Sequence, residues 1–129
     1  AGAVHGAVEG WRTGGALDFF VQDPASRSHS VTTVTVAPGI DIEALRGIAR
    51  DRFQVAIAGG LGPLTGRAFR IGHLGDCNPA MILGAIAGVE AALVCLGVPV
   101  GEGGTRRALN SLAHGEDAAG GSAPVGRLP

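Results

Sequence analysis

Apolar positions recur along this chain with two different periods, and the switches between them predict its elements. Val4, Val8 and Trp11 fall at helical spacing before Gly14-Gly15 breaks the pattern, so residues 3–13 read as the end of a helix leading in over 1–16. LDFFV (17–21) reads as a strand. VTTVTV (31–36), β-branched throughout, reads as the clearest strand and is closed by Pro38-Gly39. Helical spacing returns with Ile42, Leu45, Ile48, Ala49 and Phe53, behind Asp41 as a cap and with Arg46, Arg50 and Asp51 left for solvent. VAI (55–57) and RAFRI (67–71) read as strands around the loop GGLGPLTG (59–66).

The longest helix announces both of its ends. Asn78 is placed to cap it, Pro79 to occupy its first position and Gly97 to stop it, with AMILGAIAGVEAALVCL between. A further helix is expected over 103–113, and residues 114–129 have little to bury and are expected to be disordered. The order predicts an α+β fold: a two-layer sandwich in which a small, mostly antiparallel sheet is covered on one side by helices, with the main domain at 17–113.

Composition narrows the chemistry. Of 129 residues, 16% are charged and the net charge is −1, so no field favours nucleic acid or an anionic membrane. All ten positive charges are arginines. Two cysteines, Cys77 and Cys95, make no disulfide framework or zinc cluster, which fits a reducing, cytoplasmic setting. The N-terminus has no basic region followed by a long apolar run, so it does not read as a signal peptide.

Several motifs have plain structural readings. The run from Pro79 to Pro99, with Gly84 and Gly88 in a GxxxG pair, has the length of a membrane span, but Glu90 near its centre costs about 2.5–3.5 kcal/mol on insertion scales. Close approach of this helix to a sheet or to another helix is the reading adopted for the glycines. Gly60, Gly62 and Gly66 have the wrong spacing for a phosphate loop, and a strand rather than a helix follows them. His5, His29, His73 and His114 lack metal-ligand spacing, so no metal site is expected; His73 and Asp76 could pair locally, and Cys77 reads as a small turn residue.

Arg70 stands apart. Strand alternation puts it opposite Phe69 and Ile71, beside only Ala68 on its own face. The pattern leaves two readings open: a surface or ion-paired structural arginine, or a clamp for a carboxylate, which suits the planar guanidinium.

VTTVTVAPGID (31–41), GGLGPLTGRAFRIGHLGD (59–76) and AGVEAAL (87–93) together resemble the C-terminal small domain of class V aminotransferases, serine-glyoxylate and alanine-glyoxylate aminotransferases above all. The resemblance covers residues 17–112 with the order of segments intact. It implies the small domain of a pyridoxal-phosphate enzyme of fold type I, usually a homodimer, moving an amino group from a Ser- or Ala-type donor to glyoxylate or pyruvate. It implies that Arg70, the arginine of the RIG motif, binds the substrate carboxylate; it assigns no role to His73. The pattern departs from the family in one respect. The chain has no lysine to bond the cofactor, so cofactor and phosphate-binding groups are expected on a large N-terminal domain, this chain alone is expected to be inactive, and none of its residues is assigned to catalysis or to the cofactor. The alternative expectation is a non-catalytic module for oligomerisation or interaction.

Overall fold

Every third and fourth residue of the first ten is small or apolar, and the chain coils there so that one stripe can be buried. In the computed structural model, which describes residues 1–73 and 78–114, this segment is helix α1 (Gly2–Trp11). Ala3, Val4, Ala7, Val8 and Trp11 form its buried stripe. Strands β1 (Leu17–Phe19) and β2 (Val31–Val36), helix α2 (Ile42–Phe53), strands β3 (Ala58–Gly59) and β4 (Ala68–Gly72), and helices α3 (Pro79–Leu96) and α4 (Gly104–His114) follow.

The strands form one antiparallel sheet in the order β1-β2-β4-β3. Leu17, Phe19, Thr32, Val34, Phe69 and Ile71 share one face and are at most 4% exposed, packed with the apolar stripes of the helices. Asp18, Thr33, Thr35, Ala58 and Arg70 share the other. The chain is therefore the expected α+β sandwich, with helices on one side of the sheet.

Local chemistry sets the helix ends. Asp41 accepts the N–H of Ala44 at 3.0 Å and Asn78 that of Met81 at 2.8 Å, each relieving an orphan donor of a first turn. Gly97, at φ 83°, closes α3 with its N–H on Val94 O, and Val98 N–H returns to Leu93 O. Of the GxxxG pair, Gly88 has the close approach: a Cβ there would lie 2.6 Å from Val55 Cγ2, whereas Gly84 faces open space.

The fourth helix touches the first even more closely. A side chain on Gly104 would run into the indole of Trp11, and one on Gly10 into the Gly104 backbone. Glu90 locks this contact from α3: one carboxylate oxygen accepts Trp11 Nε1–H at 2.8 Å, Thr105 Oγ1–H at 2.8 Å and Thr105 N–H at 3.2 Å. Its negative charge thus sits at the start of α4, where the helix dipole favours it.

The strand expected at 55–57 lies later, at 58–59. Gln54 ends α2 in the left-handed region at φ 58°, and Arg46 Nε–H takes the carbonyl of Ile57 at 3.0 Å, so pairing with β4 begins only at Ala58. β1 is shorter than the expected 17–21: Phe20 N–H still reaches Thr33 O, but Arg27 Nε–H takes Val21 O and turns the chain away. The expected disordered tail lies outside the described residues apart from His114, which ends α4.

Candidate functional site on the open sheet face

Arg70 lies at the middle of β4, which runs between β2 and β3, and its register partners are Thr33 and Ala58. Ala58 and Ala68 are too small to cover it. Its Nε–H donates to the Gly59 carbonyl at 2.9 Å, which ties the guanidinium over the β3 side of the sheet. That bond uses one edge of the fork and leaves the two terminal nitrogens, the pair that grips a carboxylate with two parallel hydrogen bonds.

Arg12, Arg46 and Arg50 are committed to carboxylates, to Asp18 at 2.8 Å, Glu43 at 3.0 Å and Asp51 at 2.8 Å, whereas Arg52, Arg67, Arg106 and Arg107 have no ion pair among the described residues. Arg70 has no ion-pair partner among the described residues. The structural ion pair left open by the strand pattern therefore finds no partner there.

Around Arg70 the open face carries a cross-strand row. Phe20, 51% exposed, follows β1 and hydrogen-bonds through its N–H to Thr33 O; Thr33 pairs Arg70, and Arg70 pairs Ala58. One row thus presents an aromatic ring, a hydroxyl and a cation in sequence. Further along the same face Asp18 is pushed up by burial, but the Arg12 guanidinium and the Phe19 N–H outweigh this and hold its carboxyl below the usual value.

The glycine loop spends its backbone on itself. Gly60 N–H bonds Ala68 O, Leu64 N–H bonds Leu61 O and Thr65 N–H bonds Gly62 O, while a side chain at Gly60 would collide with the Leu64 carbonyl. The close approach expected of this loop is therefore to its own turn, and these amides are not available to cradle a phosphate. Together with the absence of lysine, this means that the residues present do not by themselves fit pyridoxal phosphate.

The histidines are regrouped in part. His5 and His73 stand edge to face with ring centroids 5.9 Å apart, and His73 Nε2 is 2.9 Å from Thr32 Oγ1. No group of three or more His, Cys, Asp or Glu side chains among the described residues could hold a metal ion. Asp76 and Cys77 lie outside the described residues. Cys95 is exposed and its sulfur accepts from Arg52 at 3.3 Å. The sequence reading missed two polar anchors: the Glu90 cluster, signalled only by a lone carboxylate in an apolar helix, and Arg27, whose guanidinium lies 3.4 Å above the Phe19 ring.

No family model matches the chain. Individual proteins do. Serine–glyoxylate aminotransferase of Methylorubrum extorquens is 37% identical over 101 residues, covering 78% of this chain and 24% of that protein. The Arabidopsis thaliana serine–glyoxylate aminotransferase is 38% identical over 113 residues, covering 87% of this chain and 27% of that protein. Among solved structures, ureidoglycine-glyoxylate aminotransferase from Bacillus subtilis superposes with a TM-score of 0.72 at 30% identity, over 84% of this chain and 27% of that one. The chain thus spans 24% to 27% of the length of these relatives. Over the span they share, this chain belongs to the glyoxylate-linked aminotransferases of class V.

Proposed function

We propose that this chain is the substrate-carboxylate-binding small domain of a pyridoxal-phosphate transaminase, moving an amino group from a Ser- or Ala-type donor to glyoxylate or pyruvate. Arg70 is the clamp, and the observation that carries the reading is its tether: Nε–H on Gly59 O at 2.9 Å, with no ion-pair partner among the described residues. A guanidinium fixed at one edge arrives at a carboxylate pre-oriented, so less rotamer entropy is lost on binding. In this reading a large domain outside the chain brings the cofactor and its lysine, and the assembled enzyme is a cytoplasmic homodimer. Arg70 contributes orientation: fixing the carboxylate turns the bond to be broken toward the group that takes its proton.

The test is kinetic, in enzyme reconstituted with a lysine-bearing, cofactor-binding region. Arg70→Ala should lower kcat/KM for amino and oxo acids by about a hundredfold or more, because each lost charged hydrogen bond is worth about 1.5–3 kcal/mol. Arg70→Lys should recover only part of this, since a point charge replaces a fork. Unchanged kinetics in Arg70→Ala would exclude the clamp.

A second reading, a non-catalytic interaction module, is favoured by one observation. Helix α3 turns Met81, Gly84, Ala87 and Val94 outward, with Met81 57% and Val94 62% exposed. Its test is the oligomeric state, argued below at the scale of the whole molecule.

A further inference from the structure

β3 is two residues long and lies at the edge of the sheet, yet it carries the carbonyl that orients Arg70. Gly60 N–H bonds Ala68 O of β4, so by antiparallel alternation Gly59, and Ile57 two residues before it, direct their carbonyls to the free edge. Both carbonyls are taken by an arginine Nε–H: Ile57 O by Arg46 at 3.0 Å and Gly59 O by Arg70 at 2.9 Å. Arg46 comes from α2 in the helical layer and Arg70 from the open face, so the two meet one short edge from opposite sides.

The edge has little else to hold it. β3 pairs with β4 through Ala58 and Gly59 only, and the glycine loop follows at once. Helix α2, by contrast, is set in the core by Ile42, Leu45 and Ala49, each at most 3% exposed. Arg46 therefore carries the rigidity of a packed helix across to β3. Glu43, one turn before it, accepts from Arg46 Nη1 on both oxygens, at 3.0 and 3.2 Å. This pair lies beside Gly59, where a Cβ would be 3.7 Å from Arg46 Nη1 and 3.9 Å from Glu43 Oε2. The charge of Arg46 is balanced by Glu43, while Arg70 has no ion-pair partner among the described residues. One edge thus joins a neutralised guanidinium, acting as a strut, to one left for a ligand.

We propose that Arg46 is a positioning residue for Arg70: held by α2, it fixes the free edge of β3 and with it the Gly59 carbonyl that aims the Arg70 fork at the substrate carboxylate. The proposal rests on the clamp reading of Arg70. Arg46 touches no substrate and acts through pre-organisation. Without its bond to Ile57 O, the Gly59 carbonyl moves with a loose edge, and the guanidinium samples directions in which the two parallel hydrogen bonds to a carboxylate do not form together. Serine, alanine and glyoxylate share that carboxylate, so the effect falls on all of them alike.

The test is a double-mutant cycle in the reconstituted enzyme, with kcat/KM for serine and glyoxylate as the readout, using Arg46→Met, which keeps the apolar stem and removes the donor. Arg46→Met is expected to lower kcat/KM about tenfold in the parent but by less than about twofold in Arg70→Ala, where there is no guanidinium left to aim. Arg46→Lys, whose ammonium can still donate to Ile57 O, should restore most of the loss. By NMR of the isotope-labelled 129-residue chain without ligand, Arg70 Nε–H should exchange at least about tenfold faster in Arg46→Met, with the amides between β2 and β4 unchanged. An equal loss of kcat/KM in the parent and in Arg70→Ala, or an Arg70 Nε–H that exchanges no faster, rejects the positioning role and leaves the clamp standing. So does an Arg46→Lys as impaired as Arg46→Met. If Arg70→Ala alone leaves the kinetics unchanged, the clamp falls and the positioning role with it.

Discussion

Glu90 shows how one residue can be half legible. A carboxylate in the middle of an apolar helix is visible in the sequence as an anomaly, yet its partner Trp11 lies 79 positions away and nothing local names it. Because a single oxygen takes three donors from two other helices, removing it strands a buried indole N–H and the first turn of α4. Glu90→Ala is expected to cost about 1–3 kcal/mol in urea unfolding. Glu90→Gln, which keeps an oxygen acceptor, should cost less than half as much; equal losses in the two would mean that charge rather than the shared acceptor holds the cluster. Arg70 was more legible, since alternation alone put it on the face away from Phe69 and Ile71, but its bond to Gly59 depends on a register no local pattern encodes. Asp18 gives a pH test with a definite sign. Its folded pKa is depressed, so its stabilisation is present above the ordinary carboxylate value and is lost as pH falls through the folded one. Asp18→Asn should therefore unfold at lower urea than the parent at pH 7, the two curves converging in acid; a gap that persists in acid would assign the effect to packing.

At the scale of elements, legibility followed the presence of side-chain signals. Both ends of α3 were readable because Asn78, Pro79 and Gly97 do their work locally, through a cap bond, a missing N–H and a left-handed turn. The strand before the glycine loop was not, since its start is set by Arg46 occupying Ile57 O from another element. Glycines at the α1–α4 contact were equally mute: the sequence shows their abundance, and only the packing shows that Gly10 and Gly104 are facing surfaces. Replacing Gly104 by Ala drives a methyl into the Trp11 ring and should cost about 1–3 kcal/mol by overpacking. Gly84→Ala, with nothing near its added Cβ, should instead be neutral or stabilising by up to about 1 kcal/mol from helix propensity. Thermal denaturation of the pair tests whether close approach, rather than glycine content, explains these positions; similar losses in both would contradict it.

For the whole molecule the unresolved balance is between what α3 buries and what it shows. It is the one helix among the described residues long and apolar enough to cross a membrane, with a hydropathy of 2.0, yet only 28% of that stretch is buried. Its inner face is fixed by Ile86, Val89, Ala92 and Leu93 in the core and by Glu90 on Trp11 and Thr105, which holds its middle within the helical layer. The outer face carries Met81 and Val94 more than half exposed, a cost in water that contact with another apolar surface would relieve. The chain is therefore expected to self-associate through this face, with a sedimentation coefficient that rises with concentration. Met81→Lys combined with Val94→Lys should weaken that association at least about tenfold, since burying either ammonium requires desolvation, and should leave the thermal midpoint of the monomer nearly unchanged because neither parent side chain is in the core. A parent that stays monomeric at every concentration would end the interaction reading, and an association that survives the double substitution would move the contact from α3 to the open face of the sheet.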